Sequence, residues 1–135
     1  MLIVFAGLPG TGKTTLSRRL AAELSAAVVR VDVIEGAIIR SRELLRPLGP
    51  VGYVVAYEVA AACLAVGTTV VVDAVCPVAE ARAGWRAVDA AAGVGVQVFE
   101  VVLRDLDEHR RRVQARRADL EGLVVPTWSE VLAWD

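Results

Sequence analysis

The chain has 135 residues, of which 56% are hydrophobic, and a formal net charge of −1 at pH 7. That length predicts one domain, residues 1–135, able to bury roughly 65% of its unfolded surface. The charge balance argues against broad nucleic-acid binding, and no apolar run reaches the roughly 20 residues of a membrane span. The start of the sequence lacks a basic leader, so we expect a cytoplasmic protein with no membrane partner.

The first predicted elements are a strand, a glycine-rich segment and a helix. Residues 2–6 are apolar and of strand length, residues 7–14 read GLPGTGKT, and residues 13–25 show helical spacing of leucines. The central octet fits the phosphate-binding pattern GxxxxGK(S/T), and strand, glycine loop and helix is the context in which that pattern carries meaning. Lys13 is also the only lysine of the chain, so a general need for positive charge does not explain it.

The residue types in this octet suit a nucleoside triphosphate. Glycines allow successive backbone N–H groups to curl around a phosphate, and the following helix directs its N-terminal dipole at the same anion. The compact ammonium of Lys13 reaches the β- and γ-phosphates, while the Thr14 hydroxyl is placed to bind Mg²⁺. We therefore predict an ATP and Mg²⁺ site formed by Gly7, Leu8, Pro9, Gly10, Thr11, Gly12, Lys13, Thr14 and Thr15.

Apolar runs alternate with helical patterns through the rest of the chain, which predicts an α/β fold with a parallel sheet. Glycines and prolines punctuate the pattern, and a Thr-x-x-Glu capping box begins the final helix. The predicted strands cover residues 27–31, 68–72 and 94–103, and the predicted helices cover residues 33–46, 51–66, 78–92, 106–117 and a short segment after Thr127.

Two aspartates follow predicted strands, at the sheet edge where ligands bind in open α/β folds. Asp73 ends an apolar run in the Walker-B manner, so its carboxylate is expected to hold Mg²⁺ together with Thr14; the alternative is a turn or helix cap. Asp32 ends the second strand, and its carboxylate could accept the proton of a substrate hydroxyl that attacks the γ-phosphate. The alternative for Asp32 is an N-cap of the helix at 33–46.

The basic segment near the end of the chain is the second source of candidate site residues. Arg112 and Arg116 are spaced i, i+4 and would share a helix face, with Arg117 beside it. These arginines would stabilise charge during phosphoryl transfer, or they would form a solvated face paired with neighbouring acids. His109 is expected at the surface, and Trp128 and Trp134 are expected to be packing anchors.

The segment Arg112-Val113-Gln114-Ala115-Arg116-Arg117 resembles the R-(L/I/V)-x-x-R-(R/K) opening of the lid in small P-loop kinases. This group of ATP-binding proteins includes adenylate, gluconate and shikimate kinases, chloramphenicol phosphotransferase and polynucleotide 5′-kinase. The resemblance runs over essentially the whole chain. It implies that the first arginine packs on adenine, that the second contacts the phosphates, and that Asp32 is the base or substrate anchor.

The resemblance also implies a three-layer P-loop fold like that of nucleoside monophosphate kinases, with a lid at about residues 110–126. Such kinases carry one more strand and helix after the lid, which this sequence lacks. The alternatives are a shortened chain, a degenerate enzyme, or completion by a partner chain, for example in a homodimer.

The leading functional hypothesis is an ATP-dependent phosphotransferase that acts on a hydroxyl of a small molecule. Lys13, Asp32 and Arg116 would be its catalytic residues, and residues 33–58 and 74–82 would line the acceptor pocket. One alternative is a polynucleotide 5′-hydroxyl kinase, although the acidic balance makes nucleic acid an unexpected partner. The other is a non-catalytic ATP-binding or regulatory module.

Overall fold

The computed structural model describes residues 1–117 and 124–134. Strands and helices alternate along most of this length, as the hydrophobic pattern predicts. In chain order the elements are β1 (Leu2–Ala6), α1 (Lys13–Leu24), β2 (Ala27–Arg30), α2 (Val31–Ser41), α3 (Val51–Ala65), β3 (Val70–Asp73), α4 (Ala79–Ala92), β4 (Val96–Glu100), α5 (Leu106–Ala115) and α6 (Trp128–Ala133).

The strands form one parallel sheet in the order β2-β3-β1-β4. Side chains alternate across β1, so that Leu2 and Val4 pack on the side of α3 and α4 while Ile3 and Phe5 pack on the side of α1. β3 is buried along its whole length, as expected of a strand covered on both faces. The predicted three-layer α/β architecture is confirmed, and among the described residues the sheet ends at β4.

Two predicted boundaries near the candidate site are wrong. β2 stops at Arg30, so Asp32 lies in the first turn of α2 and neither ends a strand nor caps the helix. An acidic side chain in that turn complements the helix dipole, which compensates for the strand propensity of the neighbouring valines. The predicted helix at 33–46 ends at Ser41, because Arg42 adopts a left-handed conformation with φ of 63°.

The third wrong boundary concerns the basic helix, which ends at Ala115 and not at residue 117. Arg116 follows it with an extended backbone (φ −65°, ψ 132°), so Arg112 and Arg116 do not share a helix face. The predicted lid, at about residues 110–126, includes residues 118–123, which lie outside the described part of the chain. No helix within residues 1–117 and 124–134 has the length and apolarity needed to cross a bilayer.

Candidate functional site

The octet between β1 and α1 forms a tight loop at the carboxyl end of the central strands. Gly10 has a φ of +81°, and a Cβ there would lie 2.8 Å from Cγ2 of Val113. At Gly7, with a φ of +136°, a Cβ would lie 2.4 Å from the Val101 carbonyl oxygen. Both positions combine a left-handed backbone with a close neighbour, so the loop requires glycine there.

Carbonyl oxygens of the loop accept bonds that hold its shape. The Leu8 carbonyl accepts from Oγ1 of Thr11 at 2.9 Å and from Nζ of Lys13 at 3.5 Å. The Pro9 carbonyl accepts from Nε2 of His109 at 2.8 Å, which ties α5 to the loop. The Gly7 amide donates to the Val75 carbonyl at 3.3 Å, and amides further along the loop could bind an anion.

Lys13 is buried, with only 6% of its surface exposed. Burial lowers the pKa of its ammonium group, and the nearby carboxylates of Asp73 and Asp32 partly oppose that effect. A buried cation beside a cavity gains from any anion that enters it, because the low dielectric strengthens the attraction. Lys13 is therefore poised to receive a phosphate.

Thr14 and Asp73 meet at the start of α1 and the end of β3. Oγ1 of Thr14 donates to Oδ2 of Asp73 at 2.5 Å, and Asp73 is only 4% exposed. A hydroxyl and a carboxylate are the hard oxygen donors that Mg²⁺ prefers, so the pair fits this ion. No group of three or more His, Cys, Asp or Glu side chains that could hold a metal ion occurs in the described residues.

A cavity of about 330 Å³ opens above the loop and is lined by six cationic residues. Lys13 and Arg18 come from α1, Arg30 comes from the end of β2, and the others come from the basic segment. Such a density of positive charge in one cavity suits a polyphosphate. Its lining residues are Gly10, Gly12, Lys13, Thr14, Thr15, Arg18, Arg30, Arg112, Arg116 and Arg117.

A second cavity, of about 220 Å³, adjoins the first and shares Lys13 and Arg116 with it. Asp32 lines this second cavity, and its Oδ2 lies 3.8 Å from Nη2 of Arg116. The remaining lining residues are Pro9, Val31, Glu35, Arg46, Tyr53, Val75, Pro77, Val124, Pro126 and Trp134. We call the first the phosphate cavity and the second the acceptor cavity.

Part of the basic segment is paired with acids, as one reading of the sequence expected. Glu108 accepts from Nε of Arg111 at 2.8 Å and from Nε of Arg112 at 2.9 Å. These bonds lower the pKa of Glu108 to about 2. Arg112 therefore lines the phosphate cavity while it is paired with Glu108.

One residue near the site, Arg30, was missed by the sequence reasoning, whereas Glu35 lies in the predicted acceptor range 33–58. Arg30 is only 6% exposed and lies 3.6 Å from carboxylate oxygens of both Asp32 and Asp73. A charged residue at the end of an otherwise apolar strand was the available signal. Glu35 lines the acceptor cavity, where burial and the neighbouring Asp32 raise its pKa.

Two predictions about aromatic side chains are corrected by the structure. His109 is buried at 4% exposure beneath the loop, and its ring makes an edge contact with Trp128 at 5.1 Å between centroids. His109 and Val113 are spaced i, i+4 on α5 and are both buried. This spacing was the available signal that His109 lies on the inward face of the helix. Trp128 is a packing residue as predicted, whereas Trp134 is 45% exposed and lines the acceptor cavity.

Comparison with known proteins identifies the family of the chain. A family model for an AAA domain, AAA_33, matches residues 2–128. The chain belongs to this AAA domain family. No curated protein matches the chain.

Several solved structures similar to this AAA domain are named as kinases. A candidate kinase from Chloroflexus aurantiacus superposes with a TM-score of 0.76 at 23% identity over 85% of this chain, which spans 65% of that protein's length. The APS kinase of Mycobacterium tuberculosis gives 0.64 at 25% identity, covering 74% of this chain and 73% of its own. A gluconokinase from Sinorhizobium meliloti gives 0.62 at 17% identity, covering 98% and 73%. The fold of this AAA domain is thus that of the P-loop kinases.

Proposed function

We propose that this AAA domain transfers the γ-phosphoryl group of Mg-ATP to a hydroxyl group of a small molecule. One observation carries the proposal: the phosphate cavity and the acceptor cavity meet at Lys13 and Arg116. A γ-phosphate bound to those two cations would stand between the polycationic cavity and the cavity that contains Asp32. Both substrates would then be held in reacting position, which is the main requirement of phosphoryl transfer.

The donor side is formed by the loop and the arginines. The amides of Gly10 and Gly12 and the ammonium of Lys13 would hold the β- and γ-phosphates, while Arg112 and Arg117 would complete the cavity wall. Thr14 and Asp73 would hold Mg²⁺, which neutralises charge on the phosphate oxygens. Arg116 would stabilise the charge that develops on the transferred group.

The acceptor side depends on Asp32. Its carboxylate would accept the proton of the acceptor hydroxyl as that oxygen forms a bond to the γ-phosphorus. The bond between the γ-phosphorus and the bridging oxygen would break, and ADP would leave with that oxygen. The proton held by Asp32 would afterwards pass to solvent.

The names of the structural relatives support transfer but leave the acceptor open. They include a sugar kinase, an APS kinase and a gluconokinase, and these names denote different acceptors. The acceptor's identity must therefore come from this chain's own cavity.

The cytoplasmic location of the protein and the formation of a homodimer stay predictions.

The test is transfer of ³²P from [γ-³²P]ATP to a library of metabolite and antibiotic alcohols, with a 5′-hydroxyl oligonucleotide included. The proposal predicts a labelled small molecule with wild-type protein and none with Lys13→Met. Label on the oligonucleotide alone would favour a polynucleotide kinase. Tight ATP binding with no labelled acceptor would favour a non-catalytic module, and either outcome would overturn the proposal.

A further inference from the structure

An apolar cavity continues from the acceptor cavity, and the function proposed above does not use it. Its volume is about 430 Å³, and it shares Tyr53 and Pro77 with the acceptor cavity. Of the described residues that line it, only Glu80 is charged. The lining residues are Gly49, Pro50, Tyr53, Tyr57, Pro77, Val78, Glu80 and Ala81. We call it the aromatic cavity.

The tyrosine hydroxyls of this cavity already have partners. Oη of Tyr53 accepts from the Cys76 backbone N–H at 3.1 Å, and Oη of Tyr57 donates to the Ala81 carbonyl at 2.9 Å. The first bond connects α3 to the segment that leads into α4, and the second connects α3 to α4 itself. With their hydroxyls held in this way, the two rings contribute mainly carbon surface to a ligand.

The wall formed by Tyr57 is also fixed from behind. A Cβ at Gly84 would lie 2.2 Å from Cζ of Tyr57, so the ring rests directly on the glycine of α4. The ring makes an edge contact with the buried Trp85 at 4.6 Å between centroids. A ring held on two sides forms a preorganised surface, which binds a ligand without the entropy cost of ordering the wall.

The polar end of the combined cleft is fixed by a second glycine contact. A Cβ at Gly52 would lie 2.5 Å from Cγ of Glu35, so Glu35 lies against α3 and lines the same cavity as Asp32 and Tyr53. The cleft therefore changes along its length from carboxylates beside Lys13 to carbon surface at Tyr57. A molecule that fills the cleft therefore needs a polar part and an apolar part.

We propose that the acceptor is an amphipathic alcohol whose aromatic or branched aliphatic arm occupies the aromatic cavity. This rests on the proposed function, because it places the reacting hydroxyl beside Asp32. Space is sufficient, since a cavity of about 150 Å³ holds benzene. A fully hydroxylated sugar would leave its hydroxyl groups without partners against Tyr57 and Val78, which is costly.

The test uses matched alcohols that differ only in an apolar arm: phenyl and methyl β-D-glucopyranoside, and 3-phenoxy-1,2-propanediol and glycerol. Saturation-transfer NMR measures their binding to the protein loaded with Mg²⁺ and a non-hydrolysable ATP analogue. The phenyl member of each pair should bind at least about 10-fold more tightly. Its aryl protons should receive the saturation.

The blocking variant is Val78→Arg, and its control is Val98→Arg. Both valines are 51% exposed, but Val98 lies on β4 and does not line the aromatic cavity. Aryl binding should be lost in Val78→Arg and kept in Val98→Arg, with Mg-ATP affinity equal in both. The inference would be overturned if the two members of each pair bound equally well, or if both variants bound the aryl compounds equally well.

A separate readout distinguishes this failure from failure of the proposed function. If acceptor-dependent ADP release occurs with simple sugars and is unaffected by Val78→Arg, phosphoryl transfer stands and the amphipathic acceptor is wrong. If the aryl compounds bind as described but ATP is never consumed in any assay, the aromatic cavity is a ligand site and the phosphotransferase proposal is wrong.

Discussion

Nη2 of Arg116 lies 3.8 Å from Oδ2 of Asp32, and this ion pair joins the end of α5 to the first turn of α2. Arg116 is 21% exposed and Asp32 33% exposed by side chain, so the pair is partly shielded from water. It stands where the two cavities meet. The residue proposed to stabilise the phosphoryl group thus contacts the residue proposed to accept the hydroxyl proton.

Replacing Asp32 by asparagine should separate proton transfer from nucleotide binding. Asp32→Asn keeps the shape but removes the proposed base, so kcat should fall by about 10²–10⁴ while the ATP Kd stays within a few-fold. Steady-state kinetics with an identified acceptor and calorimetry with ATP measure the two quantities. Glu58→Gln is the control, because Glu58 is an exposed carboxylate outside both cavities. Equal turnover in Asp32→Asn and wild type would reduce Asp32 to a structural role in α2.

Substitutions of Arg116 and Arg111, both in the basic segment, should differ sharply in their effect on kcat. Arg116→Ala should lower kcat by at least about 10², because the residue lines both cavities and is proposed to contact the transferred group, with a smaller effect on ATP affinity. Arg111→Ala should leave both unchanged, since Arg111 pairs with Glu108 and lines neither cavity. Single-turnover transfer measures the chemical step in each variant. Similar losses in both would show that only the net charge of the segment matters.

The Thr14 hydroxyl should control the requirement for Mg²⁺. Thr14→Val removes the proposed metal ligand at constant shape, so the Mg²⁺ concentration for half-maximal ATP turnover should rise about 10-fold or more. A Mg²⁺ titration of turnover measures this shift. Thr15→Val is the neighbouring control, and it should not move the Mg²⁺ midpoint. An unchanged midpoint in Thr14→Val would exclude Thr14 from the metal site.

His109 should act as a positioning residue for the loop. His109→Ala removes the bond to the Pro9 carbonyl and the contact with Trp128, so ATP should bind about 10-fold more weakly and unfolding should become easier by about 2 kcal/mol. His109→Gln retains an amide donor at a similar reach and should restore much of the ATP affinity. Calorimetry and denaturant unfolding check the two effects. If His109→Ala bound ATP with wild-type affinity, the bond between α5 and the loop would not contribute to nucleotide binding.

The sequence predicted best what depends on local or periodic patterns. The loop at residues 7–14 follows from a fixed spacing, and the meeting of Thr14 with Asp73 follows from the parallel sheet, which brings strand ends to one edge. Burial of Arg30 and His109 could not be read in the same way. Each is a polar residue whose partners lie on other elements, and local propensity contains no record of them.

The boundaries of α2 and α5 failed for a related reason. Valines around Asp32 favour a strand by propensity, yet packing and the helix dipole place them in α2. Arg116 continues a helical pattern by sequence but turns off the helix to contact Asp32. In α2 and at the end of α5, interactions formed in the folded protein outweighed the local conformational preference of the sequence.

The central claim is that the loop containing Lys13 binds the phosphates of ATP. Calorimetric titration of Mg-ATP into wild type, Lys13→Met and Arg19→Met tests it most directly, because Arg19 is an exposed cation of the same helix paired with Glu23. We expect wild-type affinity in Arg19→Met and a loss of about 100-fold or more in Lys13→Met. Equal ATP affinity in all three proteins would contradict the account.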